Sequence, residues 1–192
     1  MDQVVTNQKK PEVKPQTQTA NLTQAVDMSQ IIRGGKKVLQ ELMGKVPPTL
    51  FSIDKEKFIG EQVIKPLSND YRLVLRSLIN GFLEDMRHRR ASDIDLGGLG
   101  SNKLVWFRVQ GDKKAFPELG SYETTEFDIL IQSILLDSQR EELYERRNVD
   151  FSYTFSGSQK QIYRNRANVA FDLNSLSMSS MEITGSSGAL FC

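Results

Sequence analysis

The chain has 192 residues, of which 39% are hydrophobic and 26% charged, a composition typical of a globular protein with one substantial core. Its formal net charge of +1 gives no general reason to expect nucleic acid or an anionic membrane as a partner. A single histidine and a single cysteine exclude the usual zinc sites and an internal disulfide. No apolar run is long enough to cross a bilayer. Because no internal disulfide is possible, a reducing cytoplasm is the simplest expectation for the compartment.

The first third of the chain contains a polar segment followed by short helices. Residues 1–27 contain hardly any large apolar side chain, which predicts a disordered tail. Residues 28–68 are predicted to form a helical extension, with one helix that ends at Gly44 and a second that begins near Ser52. The pattern does not determine where this extension packs.

A long amphipathic helix is the clearest structural signal. Between residues 71 and 86 the apolar residues recur every three or four positions, so most of them share one face: Leu73, Leu75, Leu78, Ile79, Phe82, Leu83 and Met86. Residues 87–90 are cationic or titratable, as is typical of a last helical turn, and His88 is expected to be exposed there. Residues 94–96 alternate like a strand, so the helix is predicted to lead into a strand through a tight corner.

Short strands and two further helices are predicted downstream. The glycines at 97, 98 and 100 indicate a hairpin loop, and residues 103–109 a strand, followed by a turn and a short strand at residues 115–116. Thr124 or Thr125 is predicted to cap a helix. A second helix over residues 139–146 is dense in Arg and Glu, which indicates a solvated face.

Two alternating strands between residues 148 and 174 complete the pattern. The order of elements predicts an α+β domain with antiparallel meanders over residues 69–178. We expect an irregular C-terminal tail over residues 179–192.

Three local motifs, in this order, resemble those of a known family. Ala91-Ser92-Asp93-Ile94-Asp95 resembles its "A-S-D-I/L-H" signature, and residues 105–111 resemble its "R-x-x-G" hairpin. Residues 148–168, with Gly157 between two strands, resemble "E-x-D-F-S-Y…G…R-F-R-V-N". Over residues 71–178 the chain is therefore similar to the N-terminal domain of the secretion and pilus-retraction ATPases, which include the PilT-like twitching-motility proteins and the E-type proteins of type II secretion.

This resemblance implies a PAS-like α+β fold that precedes a RecA-like ATPase domain. In that family six copies form a ring, and each N-terminal domain packs on the ATPase domain of a neighbour. The implied partners are neighbouring subunits or ATPase domains of a motor ring, in the cytoplasm or peripheral to an inner-membrane assembly. The family uses ATP and magnesium, whereas no cofactor is expected in this chain itself.

Arg164 and Arg166 are the candidate cofactor-binding residues, because they match the arginines of the family's "R-x-R-x-N" strand. In the family these arginines lie near the nucleotide and help to sense its γ-phosphate. A guanidinium, which stays charged and donates in a fork, suits phosphate oxygens. The alternative is that both residues are exposed positions on the polar face of a strand.

The sequence departs from the family at two points. Asp95 stands where the family commonly has histidine, and after Met178 no phosphate-binding loop of the type G-x-x-x-x-G-K-[ST] follows. Residues 184–188, Thr-Gly-Ser-Ser-Gly, lack its lysine. We therefore expect a chain truncated before the ATPase domain, without catalysis of its own.

Three functions can be compared from these observations. The first is an assembly and regulatory module of a motor ATPase, and the alternative is a stand-alone PAS-like module that binds a ligand or a protein. An enzyme is disfavoured, because the aspartate pairs Asp93 with Asp95 and Asp150 with Asp172 have no accompanying base or metal ligand.

Overall fold

The computed structural model describes residues 27–157 and 161–182, so residues 1–26 of the predicted disordered tail lie outside the described residues. Within the described part the chain forms five α-helices and six β-strands, which confirms the predicted α+β class. The helices are α1 (Met28–Met43), α2 (Ser52–Phe58), α3 (Asn69–His88), α4 (Thr124–Gln132) and α5 (Asp137–Arg146), with a π-helical turn at Ile59–Ile64. The strands are β1 (Ala91–Gly97), β2 (Trp106–Val109), β3 (Asp112–Ala115), β4 (Asn148–Ser156), β5 (Ile162–Asp172) and β6 (Ser175–Glu182).

The strands form one antiparallel sheet in the order β3-β2-β1-β6-β5-β4. The central strand β6 corrects the prediction of an irregular tail from residue 179, because residues 179–182 pair with β1 and β5. The alternation of β6 is weak in the sequence, since serines occupy both of its faces. Residues 183–192 of the predicted tail lie outside the described residues.

The hairpins β1–β2 and β2–β3 form at the glycine-containing turns of the sequence. β1 and β2 pair antiparallel, which confirms the hairpin predicted at the glycine cluster. β3 begins at Asp112 rather than at the predicted residue 115. The reason is that Gln110 and Gly111, with φ of 53° and 90°, already complete the turn.

Helix α3 provides the centre of the core. Leu75, Leu78, Ile79, Phe82, Leu83 and Met86 are fully buried along one face of this helix, as predicted. Leu73 is the exception at 63% exposed, because its spacing of two and five residues from Leu75 and Leu78 places it on the other side of the helix. His88 is exposed at the helix end, as predicted.

The predicted N-terminal extension belongs to the same core. Leu39 and Leu42 of α1 and Ile59 and Ile64 of the π-helical turn are fully buried, in one cluster with the residues of α3. Close packing of α1 on α3 depends on Gly35, where an added Cβ would lie 2.6 Å from the Cδ2 atom of Leu78. None of the described helices is long and apolar enough to span a bilayer.

Two details of α4 and α5 differ from expectation. Glu123, rather than Thr124 or Thr125, caps α4, through a reciprocal arrangement with Glu126. The charge run of α5 is not solvated throughout, because Arg140 is 5% exposed. Its guanidinium donates to the carbonyl oxygen of Gln132, the last residue of α4, at 3.2 Å and to that of Leu135, in the turn between α4 and α5, at 2.6 Å.

The two faces of the sheet have different surroundings. Strand β4 alternates regularly, with Val149, Phe151, Tyr153 and Phe155 buried and the residues between them exposed. The buried side faces the helices, of which α3 contacts β1, α4 contacts β6 and α5 contacts β4. The opposite side, which we call the open face, carries exposed or half-buried polar side chains on its strands.

Candidate functional site

The open face has a floor of small side chains at its centre. Gly97 of β1 lies opposite Ser177 of β6, and Ser179 of β6 lies opposite Asn168 of β5. Larger residues on the outer strands rise beside this floor. The result is two shallow cavities of about 280 Å³ and 230 Å³ that share Asn168 and Ser179 as lining residues. The open face is therefore grooved rather than flat.

Arg164 and Arg166 project from β5 onto this open face, because alternate residues of a strand point the same way. The Nη2 atom of Arg164 donates to the Oγ atom of Ser152 at 3.2 Å. The Nε atom of Arg166 lies 3.8 Å from the Oδ1 atom of Asp150, and the side chain of Arg166 is 67% exposed. Within residues 27–157 and 161–182 each guanidinium is thus tethered by one long contact, and both side chains are exposed.

The aspartates of β1 also lie on the open face. Asp93 and Asp95 point the same way, but each is matched with a cation from the neighbouring hairpin: Arg108 at 3.4 Å and Lys113 at 3.0 Å. The described residues include no group of carboxylates, histidines or cysteines that could hold a metal ion. Balanced ion pairs of this kind are typical of a polar surface rather than of acid–base chemistry.

Asp150 and Asp172 are not brought together. Asp150 lies opposite Asn168 of β5, whereas Asp172 lies four residues further along β5, opposite Ser175. Their separation along the strand is therefore about 13 Å, which is too far for two carboxylates to share a proton. The enzymatic interpretation of this pair has no geometric support.

A second feature of the open face surrounds the larger cavity. We call it the Trp106 recess; its lining residues include Trp106, Asp172, Asn168, Gly97, Ser177 and Ser179. The indole Nε1 atom of Trp106 donates to the carbonyl oxygen of Ser101 at 2.6 Å, which holds the ring in place. The Nζ atom of Lys113 lies 5.8 Å from the ring centroid. The recess therefore combines a fixed aromatic wall with a polar floor.

Sequence reasoning missed a buried ionic cluster on the other side of the sheet. The Lys55 ammonium donates to the Oδ2 atom of Asp128 at 2.7 Å and to the carbonyl oxygen of Asn174 at 2.9 Å, and it lies 3.2 Å from the Oε1 atom of Glu56. The other carboxylate oxygen of Glu56 accepts from Gln132 at 2.8 Å. Asp128 also accepts from the backbone N–H of Leu176 at 2.8 Å. The cluster thereby joins α2 and α4 to the start of β6.

The charges of this cluster are unequal, with two carboxyl groups beside one ammonium. Burial and the neighbouring Asp128 carboxylate raise the pKa of Glu56 to about 8. Burial raises the pKa of Asp128 as well, and Lys55 opposes that change. For Lys55 burial lowers the pKa, but the attraction of Asp128 and Glu56 outweighs burial and raises it overall. With a pKa of about 8, Glu56 is mostly protonated at pH 7.

One signal in the sequence indicates this cluster in retrospect. Residues 127–132 read Phe-Asp-Ile-Leu-Ile-Gln, so Asp128 and Gln132 lie four residues apart in an otherwise apolar helix. Polar residues within an apolar run need buried partners. The partners Lys55 and Glu56 lie more than 70 residues away in sequence, and no local pattern identifies them.

These features define the class of the protein: an α+β domain in which helices cover one face of an antiparallel sheet and polar side chains occupy the open face. No family model and no curated protein matches the chain. Among solved structures it is similar to the pilus retraction motor PilT with bound ADP, at 23% identity and a TM-score of 0.49, over 56% of this chain and 29% of that one.

Two further similar structures are those of the ATPase DotB. The protein from Legionella pneumophila matches at 21% identity and a TM-score of 0.46, over 55% of this chain and 28% of that one. The protein from Yersinia pseudotuberculosis matches at 16% identity and a TM-score of 0.43, over 55% and 29%. The predicted resemblance to pilus-retraction and secretion ATPases is confirmed as a likeness to these proteins. The matched part is less than a third of their length.

Proposed function

We propose that the chain is a PAS-like N-terminal assembly and regulatory domain of a motor ATPase of the pilus-retraction and secretion type. In this role the open face docks on a neighbouring subunit or ATPase domain of a hexameric ring. The observation that carries the proposal is the presentation of Arg164 and Arg166 side by side on that face, with one long tether each. Two exposed positive charges that are only loosely paired among the described residues are suited to an anion that another chain provides.

The proposed role of the two arginines is to sense the nucleotide state of the neighbour. An arginine provided in trans can stabilise charge on a phosphate that is bound elsewhere. Contacts that differ between the ATP and ADP states would shift the position of the domain and so couple hydrolysis to ring motion. ATP and magnesium would be held by the ATPase domain, and this chain would provide no catalysis and bind no cofactor alone. Such a domain would act in the cytoplasm, peripheral to an inner-membrane assembly.

A binding experiment tests this proposal. The chain alone is titrated with a fluorescent ATP analogue while light scattering follows its mass, and we expect a monomer or weak dimer without saturable binding. The ATPase domain of PilT, loaded with ADP or with a non-hydrolysable ATP analogue, is then added. We expect a complex whose affinity depends on the nucleotide.

Substitution of the arginines distinguishes sensing from simple docking. Arg164→Ala and Arg166→Ala are expected to reduce the difference in affinity between the two nucleotide states, by about fivefold for each variant. Arg108→Ala is the matched control, because this open-face arginine is paired with Asp93. Saturable ATP binding by the chain alone, or a complex in which the Arg164 and Arg166 variants behave like the control, contradicts the proposal.

A further inference from the structure

The two edges of the sheet are built differently. Strand β3, which forms one edge, has only four residues, and Asp112, Lys113 and Lys114 are charged and exposed. Short and charged edge strands resist pairing with another chain. Strand β4, which forms the other edge, has nine residues without a proline or a lysine, and it pairs with β5 without a shift of register. The edge at β4 therefore lacks the protection that β3 has.

The hydrogen bonds at the two ends of β4 show which backbone groups lie on its free edge. The N–H of Gly157 donates to the carbonyl oxygen of Gln161 at 2.9 Å, and the N–H of Phe171 donates to that of Arg147 at 3.0 Å. Hydrogen-bonded pairs alternate with non-bonded pairs in an unbroken antiparallel ladder, so the odd-numbered residues of β4 bond to β5. The even-numbered residues from 148 to 156 direct their N–H and C=O groups the other way. On that side no strand of residues 27–157 and 161–182 pairs with β4.

We propose that the free edge of β4 pairs antiparallel with β4 of a second copy of the chain, with Ser152 of each copy at the two-fold axis. Residues directly opposite each other must point to the same face, so an even-numbered residue faces an even-numbered one. The register centred on Ser152 overlaps all nine residues and forms about ten backbone hydrogen bonds. A register centred on Asp150 would be shorter and would place two carboxylates opposite each other.

The side chains of β4 and β5 complement each other in this register. Asp150 of the second copy would lie opposite Thr154, which in turn lies opposite Arg164 of β5. Two strand spacings, about 10 Å between Cα atoms, then separate Arg164 from that carboxylate, and the two side chains can span this distance. On the helix side Phe151 would lie opposite Tyr153 of the second copy, which is a favourable aromatic pair.

This pairing does not depend on the proposed nucleotide sensing, because backbone groups at the edge of the sheet form it. The two-fold axis is perpendicular to the sheet, so the open faces of both copies lie on the same side and Arg166 stays exposed there. Loss of nucleotide-dependent docking would leave the dimer in place. A monomeric chain, conversely, would leave the docking experiment unaffected.

Disulfide trapping tests the register directly. In a Cys192→Ser background the introduced cysteine is the only one in the chain. Ser152→Cys would place two thiols across the axis, where the Cα atoms of a hydrogen-bonded pair lie about 5.5 Å apart, within the range of a disulfide. Thr154→Cys is the matched control, since it is exposed on the same face but its two copies would lie about 13 Å apart along the strands. We expect Ser152→Cys to form a covalent dimer at least about tenfold faster under mild oxidation.

Two lysine variants test the pairing without a covalent bond, by sedimentation velocity at increasing protein concentration. Ser152→Lys would place two ammonium groups opposite each other, and we expect about fivefold weaker dimerisation. Thr154→Lys would place the same charge opposite Asp150 of the second copy, so its dimer should be at least as strong as that of the unsubstituted chain. The variants are matched within the chain, because Ser152 lies opposite Arg166 and Thr154 opposite Arg164.

Three results would overturn the proposal. The first is an unsubstituted chain that stays monomeric up to about 1 mM, which would leave the edge to a strand of another protein. The second is equal rates of disulfide formation in the two cysteine variants. The third is an equal effect of the two lysine substitutions on dimerisation. The unfolding midpoint of each variant, measured in the same samples, shows whether any loss of dimer reflects misfolding.

Discussion

Glu56 illustrates how a single buried carboxyl group makes stability depend on pH. In the native state its pKa is about 8, whereas its ordinary value is 4.5. Between these two values the native protein holds a proton that the unfolded chain has released. The free energy of unfolding therefore falls as the pH rises through this interval, and above pH 8 this group contributes no further change. Asp128, whose pKa is also raised, contributes in the same direction.

Glu56→Gln should remove most of this dependence. Glutamine is neutral at every pH and can keep a contact with Gln132, whose amide donates to the Glu56 carboxylate at 2.8 Å. For the native sequence we expect a slope of up to about 1.4 kcal/mol per pH unit between pH 5.5 and 7.5. For the variant we expect a flatter profile and greater stability at pH 8.5. Urea denaturation across this pH range measures both.

Asp54→Asn is the control for this comparison, because Asp54 precedes the cluster in α2 and is exposed. Its profile should follow that of the native sequence. A variant Glu56→Gln whose slope equals the native slope would mean that Glu56 is ionised throughout and that another group causes the trend.

At the scale of the element, the π-helical turn at Ile59–Ile64 packs closely against α5 at one glycine. Gly60 lies against Tyr144 of α5, whose hydroxyl donates to the Oε1 atom of Gln132 at 2.8 Å and lies 3.1 Å from the carbonyl oxygen of Glu56. An added Cβ at residue 60 would collide with this hydroxyl. The π-helical turn thus places the backbone of Gly60 so close to Tyr144 that a side chain at this position does not fit.

Gly60→Ala is therefore expected to destabilise the protein by about 1–3 kcal/mol, although alanine favours helices more than glycine does. Tyr144→Phe removes the atom that collides, so the double variant should lose less than the sum of the two single changes. A double-mutant cycle in urea measures this coupling. If Gly60→Ala stabilises the protein, the helix propensity outweighs the collision and the close contact is not present in solution.

Local sequence patterns identify some of these helices and strands but not others. The spacing of Leu75, Leu78 and Phe82 identifies α3, and the alternation of β4 and β5 assigns Arg164 and Arg166 to one face, because both patterns are local. Strand β6 was missed since its serines occupy both faces. The Trp106 recess and the Lys55 cluster could not be predicted, because each joins residues from distant parts of the chain through tertiary packing alone.

At the scale of the whole molecule, the N-terminal helices and the sheet domain share one hydrophobic core. The resemblance to the ATPase family covers residues 71–178, and the solved structures match 55–56% of the chain. Yet Leu39, Leu42, Ile59 and Ile64 are as completely buried as the residues of α3. The helical segment is therefore a structural part of the described fold, and α1 covers a side of α3 that would otherwise face water.

Removal of this segment should abolish cooperative folding. In a chain that begins at Lys65, α3 and α4 lose the four apolar partners above, each worth about 1.5–3 kcal/mol when fully buried. Asp128 would also lose Lys55, the cation that lies 2.7 Å from its carboxylate. The combined loss of roughly 6–12 kcal/mol is as large as the total stability of a typical domain. Circular dichroism during heating should show a broad transition or none.

The full chain, measured in parallel, should unfold in one sharp transition, and the variant Leu42→Ala should unfold in one transition at lower temperature, since it removes a single buried partner. A sharp transition at lower temperature indicates a core that is weakened but still formed, whereas a broad transition or none indicates that the core has not formed. A sharp transition in the chain that begins at Lys65 would show that the sheet and α3–α5 fold without the helices before them. The segment would then be an added layer, and the Lys55 cluster would link two units that fold separately.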